Sequence, residues 1–132
     1  MNTYQQVIIL SGELAGKTHE SNRQRSENLE GCLQELGISY RQALGVYKDV
    51  QELSFVTLPK NEAEIDTLKN FAFENFGQES VLYQDGNGQA WLLYNDGIEE
   101  NIGRLKRVSP KLVDTLENYT VMGGEIYTTE GV

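Results

Sequence analysis

The sequence predicts an α+β domain, a mainly antiparallel sheet with two principal helices packed on one face. Three observations carry that expectation. Short runs rich in β-branched and aromatic residues are joined by hairpin-type turn residues, two apolar stripes of helical period each stop at a glycine, and no stretch reads as a linker, repeat or low-complexity tract. A chain of 132 residues fits a single domain, residues 1–132. At that size roughly two thirds of the surface exposed by the unfolded chain is buried, enough for one core.

Val7-Ile8-Ile9-Leu10 is an apolar run of strand length, and the polar segment from Ser11 to Ser21 reads as a loop. Ser21 caps a first helix, with Gln24 completing a capping box and Leu29, Cys32, Leu33 and Leu36 repeating at helical spacing. Gly37 stops it. From Ile38 to Leu58 the β-branched and aromatic content rises, predicting two strands joined near Lys48-Asp49. Asn61 with Glu64 forms another box just after Pro59, and Ile65, Leu68, Ala72 and Phe76 make a second stripe that Gly77 ends. Ser80 to Gln84 and Gln89 to Tyr94 flank Asp85-Gly86-Asn87-Gly88, residues that tolerate positive φ, so these two runs form a hairpin. Asn95-Asp96-Gly97 turns the chain again, and Ile102 to Val108 is a further strand. Ser109-Pro110 opens a short helix to about Asn118, because serine caps and proline at the first position gives up no needed hydrogen bond. Tyr119 to Met122 and Glu125 to Thr129 bracket Gly123-Gly124 as a last hairpin.

Eleven Lys and Arg against twenty Asp and Glu give a formal net charge of −9. That field opposes polyanions, so duplex DNA is not an expected partner, whereas a basic protein surface suits it. No apolar stretch approaches the ~18 residues a bilayer span needs. The start Met1-Asn2-Thr3-Tyr4-Gln5-Gln6 lacks the basic region of a secretory signal, and the single cysteine, Cys32, cannot form an intramolecular disulfide. The expected location is the cytoplasm, that of the host cell if the source is viral, with no membrane partner and with homo-oligomers left open.

Ser21-Asn22 with Asn28-Leu29, Gly45-Val46-Tyr47, Glu52-Leu53-Ser54-Phe55-Val56 and Phe76-Gly77-Gln78-Glu79-Ser80-Val81-Leu82-Tyr83 form a pattern that resembles the bacterial and phage family called domain of unknown function 3293. The resemblance covers roughly the first three quarters of the chain. It implies a phage-encoded relative, a small accessory protein of bacteria or their viruses, and carries no activity, cofactor or catalytic residue with it.

His19 and Cys32 are the sole residues of their types, so a Cys/His dyad would have to be this pair, and Cys32 belongs to an apolar stripe where a thiol packs as a small hydrophobe. His19-Glu20-Ser21 has the letters of a hydrolytic triad, but adjacent side chains rarely point at one another. Tetrahedral zinc needs more Cys and His ligands than two. Asp85, Asn87, Gln89 and Asp96 imitate a calcium loop whose sharp turn is spoiled by Ala90, and no P-loop run is present, so neither a metal nor a cofactor is expected. Arg104, Lys106 and Arg107 concentrate positive charge within four residues, with Arg104 and Lys106 on one face of a strand. They suit either a phosphate or an edge guarded against strand addition. Glu52, Ser54, Gln78 and Ser80 are polar positions among apolar ones, suited to a site or to satisfying buried backbone groups.

These features predict a small acidic protein that acts by non-catalytic binding, as a counter-defence protein that sequesters a nucleotide-like signal or occludes a host protein. The expected ligand contacts are Arg41, Glu52, Gln78, Arg104, Lys106 and Arg107, with no catalytic residue. The alternative is a carboxylate-dependent hydrolase or transferase with Glu52 as general base.

Overall fold

The computed structural model describes residues 4–48 and 50–130, so Asp49, half of the expected Lys48-Asp49 connection, lies outside the described residues. Eight strands form: β1 (Val7–Leu10), β2 (Ser39–Tyr47), β3 (Val50–Leu58), β4 (Ser80–Gln84), β5 (Ala90–Tyr94), β6 (Glu99–Val108), β7 (Asn118–Met122) and β8 (Glu125–Glu130). They pair in the order β1-β3-β2-β7-β8-β6-β5-β4 and close back on β1. Every pairing is antiparallel.

This corrects the expected α+β sheet with two principal helices: the chain is a closed, mostly β barrel. Closure rests on two sets of pairs that no local pattern encodes. β1 joins β4 through Ile8↔Tyr83 and Ile9↔Leu82, and β2 joins β7 through Leu44↔Val121 and Gly45↔Thr120. Closing the sheet leaves no edge to attract another strand, so Arg104 and Lys106, on a β6 paired on both sides, guard no edge.

α1 (His19–Leu36) and α2 (Glu62–Asn70), the latter extended by a π turn over Phe71–Asn75, pack outside the barrel. Leu29 and Leu33 of α1, with Ile65, Leu68, Ala72 and Phe76, bury Ile8, Leu10, Phe55, Val81 and Leu93 of the β1, β3, β4 and β5 wall. The second stripe is buried throughout, as its spacing predicts. The first is narrower than expected: Leu29 and Leu33 are buried, Cys32 is half-buried and Leu36 is 42% exposed. The α1 cap also differs. Thr18, not Ser21, is the N-cap, its hydroxyl accepting from the Ser21 N–H at 3.0 Å, because an oxygen three residues upstream of a free N–H competes directly with Ser21 for the role. Gly37 closes α1 with φ 68°, a conformation that favours glycine. Asn61 caps α2 by accepting from Glu64 N at 2.9 Å.

The predicted β4–β5 hairpin forms, and Asp85 organises its turn, one carboxylate oxygen accepting from the Asn87 and Gln89 N–H groups and the other from Trp91 Nε1. A carboxylate so occupied is a turn anchor rather than a calcium ligand. The short helix after Ser109 is 3₁₀, Pro110–Thr115. In β6 the register against β5 shifts between Ala90 and Trp91, so that Ala90 faces Gly103 while Trp91 faces Asn101. That extra residue, Ile102, reverses the alternation and sends Leu105 and Arg107 to the inner face and Arg104 and Lys106 to the outer. No helix among the described residues is long and apolar enough to cross a membrane.

Candidate active site

Antiparallel neighbours share a face, so the ladder pairs identify the inner side of the barrel from one strand to the next. Glu52 of β3 lies opposite Gly45 of β2, Gly45 opposite Thr120 of β7, Thr120 opposite Tyr127 of β8, and Tyr127 opposite Arg107 of β6. All of this row except Arg107 borders a cavity of about 640 Å³. Leu82, Leu92 and Leu105 line its apolar side, Glu52, Thr120, Tyr127 and Thr129 its polar side, and Tyr47, Val50 and Asn118 its mouth. An apolar chamber of this volume with a few convergent polar groups has the character of a small-molecule site. Gly45 lines it where β2 passes close to β3, and a Cβ there would come within 3.2 Å of Ser54 Oγ.

β1 stops at Leu10, and side chains of the following loop continue its ladder. The Ser11 hydroxyl donates to the Leu53 carbonyl at 2.7 Å, and the Glu13 carboxylate accepts from the Leu53 N–H at 2.7 Å. The Glu13 carboxylate is thereby held against β3 at the residue next to Glu52. Glu52 titrates above the ordinary carboxylate range, chiefly because burial disfavours its charge and further because Glu13 is close, with relief from Ser11. Ser11 has one hydroxyl proton and the geometry gives it to Leu53, so that relief is partial and burial wins.

The loop that carries Ser11 and Glu13 is fixed from three sides. Asn22 of α1 grips Leu14 twice, accepting from its N–H at 2.9 Å and donating to its carbonyl at 3.1 Å. Arg25 donates to Gly12 O at 2.6 Å and to Phe76 O, stacking its guanidinium over the Phe76 ring. Gln78 donates to Glu13 O at 2.8 Å. Gly12 is needed at this junction because a Cβ would lie 2.8 Å from the Arg25 carbonyl oxygen, a helix backbone atom that cannot yield. Gly12→Ala is therefore expected to cost about 1–3 kcal/mol by overpacking, read as a lowered denaturant midpoint. A midpoint equal to that of the parent would show that the loop does not press on α1.

Of the expected contacts, only Glu52 lines the chamber. Gln78 supports the loop rather than meeting a ligand. Arg107 faces inward by register but is exposed at the rim and lies 3.7 Å from Glu125. Arg104 faces outward, donating to Asn87 O at 3.4 Å beneath the Tyr4 ring, and Lys106 is exposed on the same outer face. Arg41 faces the Gly123 turn, four residues along β2 from Gly45. Arg104 and Lys106 thus lie on the opposite face from Arg107, while Arg41 and Arg107 each border the β7–β8 turn. Ser54 is buried and reaches Glu52 O at 3.5 Å. His19 and Cys32 stand thirteen residues apart on one helix, about 20 Å at 1.5 Å per residue, too far for a dyad. Tyr127, Thr120, Thr129 and the three leucines carried no sequence signal beyond strand alternation, which marks two faces without saying which looks inward.

The sequence pattern of the S-Adenosylmethionine lyase family matches residues 8–130, nearly the whole barrel. The chain belongs to that family. Membership overturns the resemblance to domain of unknown function 3293, together with the phage accessory and counter-defence reading built on it. A family named for lyase activity is a family of enzymes, so the expectation of non-catalytic binding is corrected as well. The enzymatic alternative stood nearer, although a lyase breaks its bond without water or group transfer, which excludes the hydrolase or transferase form of it. A search of curated proteins finds no match to the chain.

Proposed function

We propose that the protein is a lyase acting on S-adenosylmethionine, with the barrel chamber as its active site and Glu52 as the carboxylate that faces the substrate's positive charge. The observation that carries this reading is the family match across residues 8–130, which includes Glu52 and the chamber walls. The substrate's chemistry fits the chamber. A sulfonium is a cation that already contains its leaving group, a neutral thioether, so cleavage of one of its C–S bonds needs no acid to protonate the departing sulfur. The protein has to attract the cation, hold one conformer and keep water from the reacting carbon.

Each requirement has a counterpart in this chain. The net charge of −9 attracts a cation, and the half-buried Glu52 carboxylate supplies a local anion where the dielectric is low. Leu82, Leu92 and Leu105 form a dry wall, while Thr120, Tyr127 and Thr129 offer hydroxyls to orient polar substituents. A volume of about 640 Å³ lies within the range of roughly 300–1,000 Å³ typical for ligands of this size. Lys48, which lines the chamber, is the cation offered to a substrate carboxylate, whereas Arg41, Arg104, Lys106 and Arg107 do not line it and have no part in the reading.

The deciding experiment incubates purified protein with S-adenosylmethionine in ¹⁸O-water and analyses early products by chromatography and mass spectrometry. Release of a neutral thioether nucleoside, with no label in the first-formed companion fragment, is the expected result. Label in that fragment would mean hydrolysis, and an intact substrate would sink the proposal.

A further inference from the structure

Among the described residues the chamber wall carries two charged side chains, one of each sign. Glu52 stands on β3, and Lys48 stands at the mouth where β2 turns back into β3. Tyr47 pairs with Val50 and Gly45 with Glu52, so two ladder steps, about 7 Å, separate the anion from the turn that bears the cation. An amino acid whose sulfonium and carboxylate are separated by three carbons spans most of that distance, and the flexible lysine stem covers the rest.

Lys48 occupies its position against the preference of its backbone. Its φ is 48°, and it is the one residue other than glycine with a positive φ among the described residues. The two-residue connection between Tyr47 and Val50 calls for positive φ at its first position, which glycine, asparagine and aspartate adopt far more readily than lysine. The turn by itself would select one of those three. Local contacts do not account for the lysine either. Its backbone N–H donates to Glu117 O at 2.8 Å, a bond that any residue but proline would make. Its ammonium lies 3.6 Å from the Glu117 carboxylate and 5.2 Å from the centre of the Tyr47 ring, but both members of the ion pair are more than half exposed, and such contacts contribute little. What lysine alone among the turn's suitable residues supplies is a cation over the mouth.

We propose that Lys48 is a specificity-determining residue, whose ammonium selects sulfonium ligands with a free carboxylate and orients them carboxylate at the mouth, sulfonium beside Glu52. The choice of ligand rests on the lyase reading. On binding, the ligand's carboxylate takes the place of Glu117 at the ammonium.

Two probes separate the two ends of the ligand. S-adenosylhomocysteine keeps the carboxylate and lacks the sulfonium charge, whereas decarboxylated S-adenosylmethionine keeps the sulfonium and lacks the carboxylate. Each is titrated into the full chain by calorimetry at low ionic strength, with mass spectrometry confirming that it stays intact. Lys48→Asn is expected to weaken S-adenosylhomocysteine by about threefold to tenfold and to leave the decarboxylated probe unchanged. Lys48→Arg, which keeps the charge, should hold more of the parent affinity than Lys48→Asn does. Because asparagine takes positive φ readily, the denaturant midpoint of Lys48→Asn should equal or exceed that of the parent. The proposal is overturned by unchanged S-adenosylhomocysteine affinity in Lys48→Asn, by equal losses for the two probes, by an equal loss in Lys48→Arg, by a lowered midpoint, which would assign the lysine to the turn's stability, or by no binding of either probe. A parent that binds S-adenosylhomocysteine through Lys48 yet leaves S-adenosylmethionine uncleaved would keep this assignment and sink the lyase reading. Cleavage by the parent with unaltered affinities in Lys48→Asn would do the reverse.

Discussion

Glu52→Gln is expected to lower kcat/KM for S-adenosylmethionine cleavage by about 10²–10³-fold, the usual loss when one preorganised electrostatic group is removed from a reacting centre. Gln keeps the shape and removes the charge, and because the sulfonium charge fades as the thioether departs, the loss should fall mainly on KM if Glu52 only faces that charge and on kcat if it also acts on the reacting atoms. The same variant is expected to be more stable than the parent at neutral pH. Burial and the nearby Glu13 raise the Glu52 pKa in the folded chain, so the native state binds the Glu52 proton more tightly than the unfolded state does. The parent therefore gains stability as pH falls through that raised pKa and has gained it fully below the unfolded value, roughly 4.3. It follows that the melting temperature of the Gln variant should lead at pH 8 and that this lead should shrink on acidification. Melting curves across that range, beside steady-state kinetics, check both halves. Wild-type turnover would remove Glu52 from the site, and a lead that grew at low pH would contradict the direction of its titration. Reduced activity with raised stability is the pattern expected where a buried charge is kept for chemistry.

The second large effect lies on the outer face of the same strand. Phe55, 1% exposed, is buried between the barrel wall and the helices and meets Tyr40 edge to face with centroids 5.8 Å apart. Phe55→Ala should cost about 3–5 kcal/mol, because the lost transfer free energy is joined by a cavity that α1 and α2 cannot collapse without leaving Leu33 and Leu68. Leu36→Ala, at the exposed end of the stripe, should stay within about 0.5 kcal/mol of the parent. Denaturant midpoints for the two variants, compared side by side, decide the matter. A Phe55→Ala cost no larger than that of Leu36→Ala would mean that the helices are not docked on β3.

The site was partly legible in the residues. Glu52 stood out as a carboxylate at the start of an apolar strand, and that position lines the chamber. Gln78 stood out for the same kind of reason but proved to be a support, since a polar side chain beside a helix stop can as readily satisfy a loop carbonyl as meet a ligand. The basic cluster misled because alternation itself sets Arg107 on the opposite face from Arg104 and Lys106, while the extra residue at Ile102, which leaves no mark in local alternation, decides which of those faces looks inward.

By itself the sequence determined the local elements: the strand runs, the second helical stripe, the Asp85 turn and the glycines that stop both helices. Each follows from interactions among residues a few positions apart, where periodicity and capping act. Only the tertiary structure decided that the sheet closes, which face of each strand looks inward, and hence that Glu52, Thr120 and Tyr127 share one chamber. The physical reason is that strand alternation is symmetric between faces. The choice between them is made when β1 finds β4 and β2 finds β7, pairings far apart in the chain whose energy depends on the whole wall being in place.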